Sequence, residues 1–358
     1  MMPLLRYYMT GHGLGHASRS CQVLQALAVH HPRIRREVVT DAPPWFLSAN
    51  LPPDTPAHQR TLDIGVCQGD SLEMHLAATV AAWDRLLTAA PDLLAAETAD
   101  LRQSGVDLVV TDVAALPCAA AAAAGIPAVI LSNFTWDWIY QGFLAEEPRF
   151  AAAIAWQHDA YRLARLGLRL PFPGPLPVAE TIDLPLVARR SQRSKAEARR
   201  AVGIQERERL ALLSFGGFGL DGVSLEALGN LDGWVLLAED PLVAINRRLR
   251  PLPPGVAYAD LVNAADVVVT KPGYGIVAEC LAHQTAVLYT PRGNFREQPL
   301  LTAGLKRYGR ALEIDNRSLR RGDFQEAFTQ LLAQPQPGET LAANGAEVAA
   351  DHLARLLA

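Results

Sequence analysis

Twice in 358 residues a strand-length apolar run passes directly into a glycine-rich turn. The first is 4–9 (LLRYYM), followed by TGHGLGH over 10–16 and a helical stretch over 17–29. The second is 210–214 (LALLS), followed by Phe215-Gly-Gly-Phe-Gly219. Around each, short apolar runs alternate with Ala- and Leu-rich helical stretches. In the first half, 35–40, 107–111 and 128–131 read as strands. Residues 73–99 and 114–124 read as helices, the former broken near Pro91, the latter stopped by Gly125 and Pro127. In the second half, 234–238, 266–269 and 286–289 read as strands, and 271–275 as a loop opening a helix through Ala282. Such alternation specifies an α/β chain with parallel strands covered on both faces. The alanine run 119–124 fits a helix packed closely against a sheet.

The series is interrupted once. Pro171-Phe-Pro-Gly-Pro-Leu-Pro177 cannot continue a helix or a central strand, and reads as the start of a linker reaching about Arg190. Ser194 then N-caps a helix through Val202, with Gly203 as its stop. The expected division is a first domain over 1–180, a second over 181–340, and a segment 341–358 whose amphipathic helix (347–357) packs back on the first domain. Domains of roughly 100–200 residues are usual, so the length suits two.

Composition narrows the function. The net charge of −4 gives no global basic field, so nucleic acid is not an expected partner. Cys21, Cys67, Cys118 and Cys280 are far apart, and no metal site or resident cofactor is expected. The N-terminus lacks a signal-peptide pattern, and no stretch reaches the ~18 apolar residues of a spanning helix, so the chain reads as cytoplasmic. The basic run Arg189, Arg190, Arg193, Lys195, Arg199, Arg200 reads as a solvated helix face; its alternative is peripheral contact with an anionic membrane. Oligomeric state is not legible.

Chemistry concentrates at strand ends, where ligands bind in open α/β sheets. In Thr10-Gly-His-Gly-Leu-Gly-His-Ala-Ser-Arg19, Gly13 and Gly15 admit a ligand, while His12 and His16 are both candidate general bases. The loop has no third glycine in the GxGxxG register, which argues against a dinucleotide site. Asp112 ends a strand on the same sheet edge; it either orients a histidine or caps the next helix. Ser132-Asn-Phe-Thr-Trp-Asp-Trp138 brings Asn133 and Trp136 to that edge as acceptor or sugar contacts, with Arg19, or as core. In the second half, Gly216 and Gly217 suit phosphate contact through backbone N–H groups. Lys271, Gly273 and Gly275 combine a cation with a helix N-terminus, which favours a diphosphate. Glu279 lies where ribose hydroxyls would be reached, and Glu297 and Gln298 follow the next strand.

Taken in order, these motifs resemble the GT-B glycosyltransferases, which implies two Rossmann-like domains with parallel sheets facing across a central cleft. In the plant UDP-sugar transferases a histidine opens the donor motif, with a glutamate eight positions later and an Asp/Glu-Gln pair at its end. Here Lys271 stands at the histidine position, Glu279 is eight positions on, and Glu297-Gln298 closes the motif. The resemblance implies diphosphate contact for Lys271, ribose for Glu279, and donor-sugar hydroxyls for Glu297 and Gln298. It implies His16 as base and Asp112 as its orienting partner. TGHGLGHASR, SNFTWDWIY, IDLPLVARRS, the KPGYG loop and NGAEVAADHLARLL are also similar to the N-terminal, glycosyltransferase-like half of the plant L-arabinokinases. Their kinase half follows that region, and the sugar-kinase activity is not carried over. The implied activity is transfer from a nucleotide-diphosphate sugar to an acceptor hydroxyl, with inversion and no obligatory metal. A nucleotide-sugar hydrolase or epimerase, or a non-catalytic nucleotide-sugar-binding protein, would use the same fold; His16-Ala-Ser-Arg19 fits the GHxxR-like loop of such hydrolases.

Overall fold

The computed structural model describes residues 2–216, 220, 222–244 and 246–358. The first half runs β1 (Leu4–Met9), α1 (Leu14–His30), β2 (Arg35–Thr40), α2 (Pro44–Asn50), β3 (Ala57–Gln59), α3 (Leu76–Ser104), β4 (Leu108–Asp112), α4 (Leu116–Ala124), β5 (Ala128–Ser132), α5 (Trp136–Gln141), α6 (Phe150–Tyr161), β6 (Leu166–Arg169) and β7 (Thr181–Asp183). Among the described residues these strands form one parallel sheet, ordered β3-β2-β1-β4-β5-β6-β7. Every residue of β1, β4 and β5 is buried, because helices cover both faces. The period-two alternation shows in β1. Leu5, Tyr7 and Met9 pack with Leu24 and Leu27 of α1, whereas Leu4 and Tyr8 pack with Leu101 and Leu116 on the opposite face.

The second half contains α7 (Lys195–Val202), β8 (Arg209–Ser214), β9 (Trp234–Ala238), α8 (Asp240–Val243), β10 (Leu249–Pro251), α9 (Tyr258–Ala264), β11 (Val267–Thr270), α10 (Tyr274–His283), β12 (Ala286–Tyr289), α11 (Glu297–Tyr308), β13 (Ala311–Glu313), α12 (Asn316–Arg321), α13 (Gln325–Ala333) and α14 (Gly345–Leu356). Its sheet is also parallel, ordered β10-β9-β8-β11-β12-β13. The strand order reverses between β1 and β4 in one sheet and between β8 and β11 in the other. Each reversal leaves a crevice beyond the strand ends.

Several expectations are refined. Ser194 and Glu197 form a reciprocal capping box at α7, and Gly203 ends it in the left-handed conformation. Pro91 does not break α3: it lies on the exposed face, where the carbonyl it leaves unpaired can turn to water. The chain after the proline cluster is not wholly linker, since β7 adds to the edge of the first sheet beside β6. The basic run keeps Arg190, Arg193, Lys195 and Arg200 exposed, while five of its six residues also form ion pairs. Arg189 pairs with Glu279, Arg190 with Glu347, Arg193 with Asp260, and Lys195 and Arg199 with Asp266.

Helix α14 returns to α1, burying Ala349, Ala350 and Leu353 in the core that holds Leu24 and Leu27. Its first residue is threaded against the chain at 185–186, and the Gly345 N–H donates to the Leu186 carbonyl at 2.9 Å. A Cβ at Gly345 would collide with the Pro185 carbonyl oxygen. Glycine to alanine in a helix ordinarily gains up to ~1 kcal/mol. Here Gly345→Ala is expected to lose about 1–3 kcal/mol instead, measured as a lower urea midpoint at unchanged slope.

Candidate active site

A cavity of about 760 Å³ lies where the two crevices face each other. The N-termini of α1 and α10 meet in its wall. A Cβ placed on Gly275 would come within 3.4 Å of the Gly15 Cα, so both positive helix ends converge on one volume. Gly13 holds the N-cap of α1 at φ 70°, a conformation that glycine adopts without strain. Gly273 caps α10, and Gly216 lines the cavity after β8. Gly217 lies outside the described residues.

On the first-half wall, His16 Nδ1 is 2.9 Å from Asp112 Oδ1. Asp112 is fully buried behind it and does not cap a helix. Instead it takes Arg19 Nε at 2.6 Å, Arg19 Nη2 at 2.5 Å and Ser20 Oγ at 3.0 Å. Burial alone would raise the Asp112 pKa, but Arg19 and His16 outweigh it and hold the carboxyl well below the usual carboxylate range. Arg19 Nη2 also lies 2.9 Å from His16 Nδ1 and 3.0 Å from Ser132 Oγ. Nη2 carries only two hydrogens and cannot accept, so Ser132 and His16 compete for the one not given to Asp112. When Ser132 takes it, Nδ1–H of His16 donates to Asp112 and the Nε2 lone pair is left available. Ser132→Ala removes the competitor. The expected result is a shift of the His16 ring toward the Nε2–H tautomer, read by ¹⁵N NMR of the imidazole.

His12 sits differently. It is edge-on to Trp136 at 5.1 Å between ring centres, and its Nδ1 accepts from the Val66 N–H at 3.4 Å. Burial, then the neighbouring His16, Arg292 and Lys271, hold its pKa well below the ordinary histidine value. It is a neutral wall residue of the same cavity.

The second-half wall carries Lys271. Burial, aided by the nearby Arg292 cation, pushes its ammonium down to about 6 against the pull of Asp70 and Glu297. Glu279 is 2 % exposed and lines the cavity; Oε1 pairs with Arg189 at 2.6 Å, while Oε2 has no hydrogen-bond partner. A buried carboxylate oxygen without a partner is an unsatisfied acceptor. Glu297 lines the cavity too, with Oε1 taking Asn133 Nδ2 at 2.7 Å. Asn133 Oδ1 in turn accepts from Arg19 Nη1 at 2.7 Å. The bonds from Glu297 to Asn133, Arg19, Asp112 and His16 thus cross from one half to the other.

Three expectations need correction. Gln298 does not reach the cavity, because its Oε1 is taken by the Arg292 backbone N–H at 2.6 Å. Arg19 lines the cavity, with its guanidinium held by Asp112, Asn133 and Ser132, whereas Asn133 is fully buried and is not part of the lining of this cavity. Trp136 presents an edge to the cavity, but its ring stacks on Tyr140 and its Nε1 donates to Asp63 at 2.9 Å. Arg189, Tyr258, Arg292 and Trp45, none of them assigned to the site from the sequence, also line the cavity. Arg189 stacks over Tyr258 at 4.7 Å, and Tyr258 bonds Ser214 at the end of β8. Arg292 was legible as a basic residue just past a strand end; Trp45 had no signal beyond following two prolines. Among the described residues no group of three or more His, Cys, Asp or Glu side chains is arranged to hold a metal ion, and no helix is long and apolar enough to cross a membrane.

Two doubly wound parallel sheets with a cavity between their carboxyl edges are the GT-B fold, and this chain has it. No family model matches the chain. It is 31% identical over 355 residues to L-arabinokinase of Arabidopsis thaliana, an alignment covering 96% of this chain and 33% of that protein. The chain therefore spans about a third of the length of the curated relative it matches. Among solved structures, the glycotransferase of kitacinnamycin matches over 99% of this chain and 100% of that one, with a TM-score of 0.65 and 20% identity. UGT2 of Phytolacca americana, complexed with UDP-2fluoro-glucose and pterostilbene, matches over 99% and 94%, with a TM-score of 0.62 and 15% identity. At these identities the likeness is one of fold.

Proposed function

We propose that this chain is a glycosyltransferase that moves a sugar from a nucleoside diphosphate sugar to an acceptor hydroxyl, with inversion and without an obligatory metal. The observation that carries this is the buried His16–Asp112 pair on one wall of the cavity, facing Lys271 and the α10 N-terminus on the other. His16 is preferred to His12 as the base because its Nδ1 has the carboxylate partner, which leaves Nε2 to accept a proton. In the reaction the acceptor O–H gives its proton to His16 Nε2, and the oxygen attacks the anomeric carbon. The bond from that carbon to the β-phosphate oxygen breaks, and the diphosphate leaves with the electron pair. Lys271 and the two helix N-termini stabilise the charge that develops there. Glu279 is assigned to a ribose hydroxyl, a reading supported by its position in the cavity lining and its unpartnered Oε2. The fold of the glycosyltransferase neighbours supports the reading.

Lys271 supplies a test. A bound diphosphate favours the ammonium and raises a pKa that stands at about 6 in the unliganded protein. Binding therefore takes up a proton between pH 6 and the higher bound value. Affinity is full below about pH 6 and falls above it, by up to about tenfold per pH unit. Calorimetry at pH 7 in buffers of different ionisation enthalpy should show proton uptake on binding a nucleoside diphosphate, and Lys271→Met should abolish it. Tight binding with no proton uptake would remove Lys271 from the diphosphate site.

A further inference from the structure

Arg292 lies three residues past β12 and is buried in the cavity wall. Its guanidinium sits over the Phe295 ring at 4.0 Å, and its Nε has no hydrogen-bond partner. The charge that eases its burial is Glu297, which acts through space and is itself held by Asn133. A buried guanidinium so poorly compensated is costly unless a ligand supplies the anion.

Its position along the sheet says which part of a ligand that is. The strand ends run β8, β11, β12. At β8, Tyr258 bonds Ser214 and stacks with Arg189, which holds Glu279 on the ribose side. Lys271 follows the middle strand. Arg292 and Glu297 follow the far strand, and Glu297 connects through Asn133 and Arg19 to the His16 dyad. A sugar whose anomeric carbon lies between a diphosphate at Lys271 and the base at His16 extends toward Arg292, away from the nucleoside.

We propose that Arg292 forms a site for a carboxylate on the transferred sugar, so that the donor is a nucleoside diphosphate uronic acid rather than a neutral hexose. A planar guanidinium matches a carboxylate in a two-pronged hydrogen bond, and one buried cation balances one negative charge. The proposal rests on the donor-site reading above.

Calorimetric titration with UDP, UDP-glucose, UDP-glucuronate, UDP-galacturonate, GDP, GDP-mannose and GDP-mannuronate tests it. The uronate of the preferred nucleotide is expected to bind roughly 10- to 100-fold more tightly than its neutral counterpart. Arg292→Gln should erase that preference without weakening the parent diphosphate, since loss of this cation only eases protonation of Lys271; Arg292→Lys, which keeps the charge, should restore part of it. If Arg292→Gln weakens the bare diphosphate as much as the uronate, Arg292 is a phosphate ligand and the proposal is wrong. Diphosphate binding without preference for the uronate would refute the Arg292 site alone. Binding of no nucleotide at all would refute the donor site, and this one with it.

Discussion

His16→Ala is expected to lower turnover by about 10²–10⁴-fold and to leave nucleoside diphosphate affinity unchanged. The split follows from geometry. His16 Nδ1 is engaged by Asp112, whereas the proposed diphosphate contacts are Lys271 and the helix N-termini. His12→Ala, by contrast, should reduce turnover far less, because His12 serves as a neutral packing partner of Trp136. A His16→Ala protein with more than a tenth of wild-type turnover would contradict the assignment, and a large loss confined to His12→Ala would reverse the order of the two histidines.

Asp112→Ala is expected to cost more than activity. It leaves Arg19 buried with two of its strongest contacts gone, and uncompensated buried charges of this kind cost about 3–5 kcal/mol. Replacing both partners, as Arg19→Met with Asp112→Leu, should recover most of that stability and none of the turnover, since His16 still lacks its carboxylate. Equilibrium urea unfolding measures the first effect and product formation the second. The pH dependence has a definite sign. The Asp112 carboxyl is held below its unfolded value, so its contribution is complete above about pH 4 and disappears as pH falls through the folded value. The wild type should therefore lose its stability advantage over Asp112→Ala in acid. An advantage that persists undiminished at low pH would mean that the ion pair does not hold the site.

What could be read from the sequence follows what is local. β1, β2, β9 and β12 were placed by apolar runs of strand length, and α7 by its cap and its glycine stop, because those signals act within a few residues. The short edge strands β3, β7, β10 and β13 were not seen. At three residues each, with an exposed side, they are specified by the neighbour they pair with rather than by their own pattern. Pro91 misled in the opposite direction, since its helix is held by packing on both sides of it. At the site, His16, Asp112, Lys271, Glu279 and Glu297 were legible because each follows a strand or opens a helix on one edge. Arg189 and Arg292 were not singled out, because their significance lies in burial beside residues about 90 and 20 positions away, Glu279 and Lys271. Gln298 was assigned by its position in a motif, and a backbone N–H six residues away claimed it instead.

The donor site is tested most directly by a thermal-shift and calorimetric screen of the purified protein against UDP, dTDP, GDP and CMP. Selective stabilisation by one nucleoside diphosphate, lost in Lys271→Met and retained in His16→Ala, is the predicted result. Stabilisation by none of them, or an equal response in both variants, would contradict a donor site on the second-half wall of the cavity.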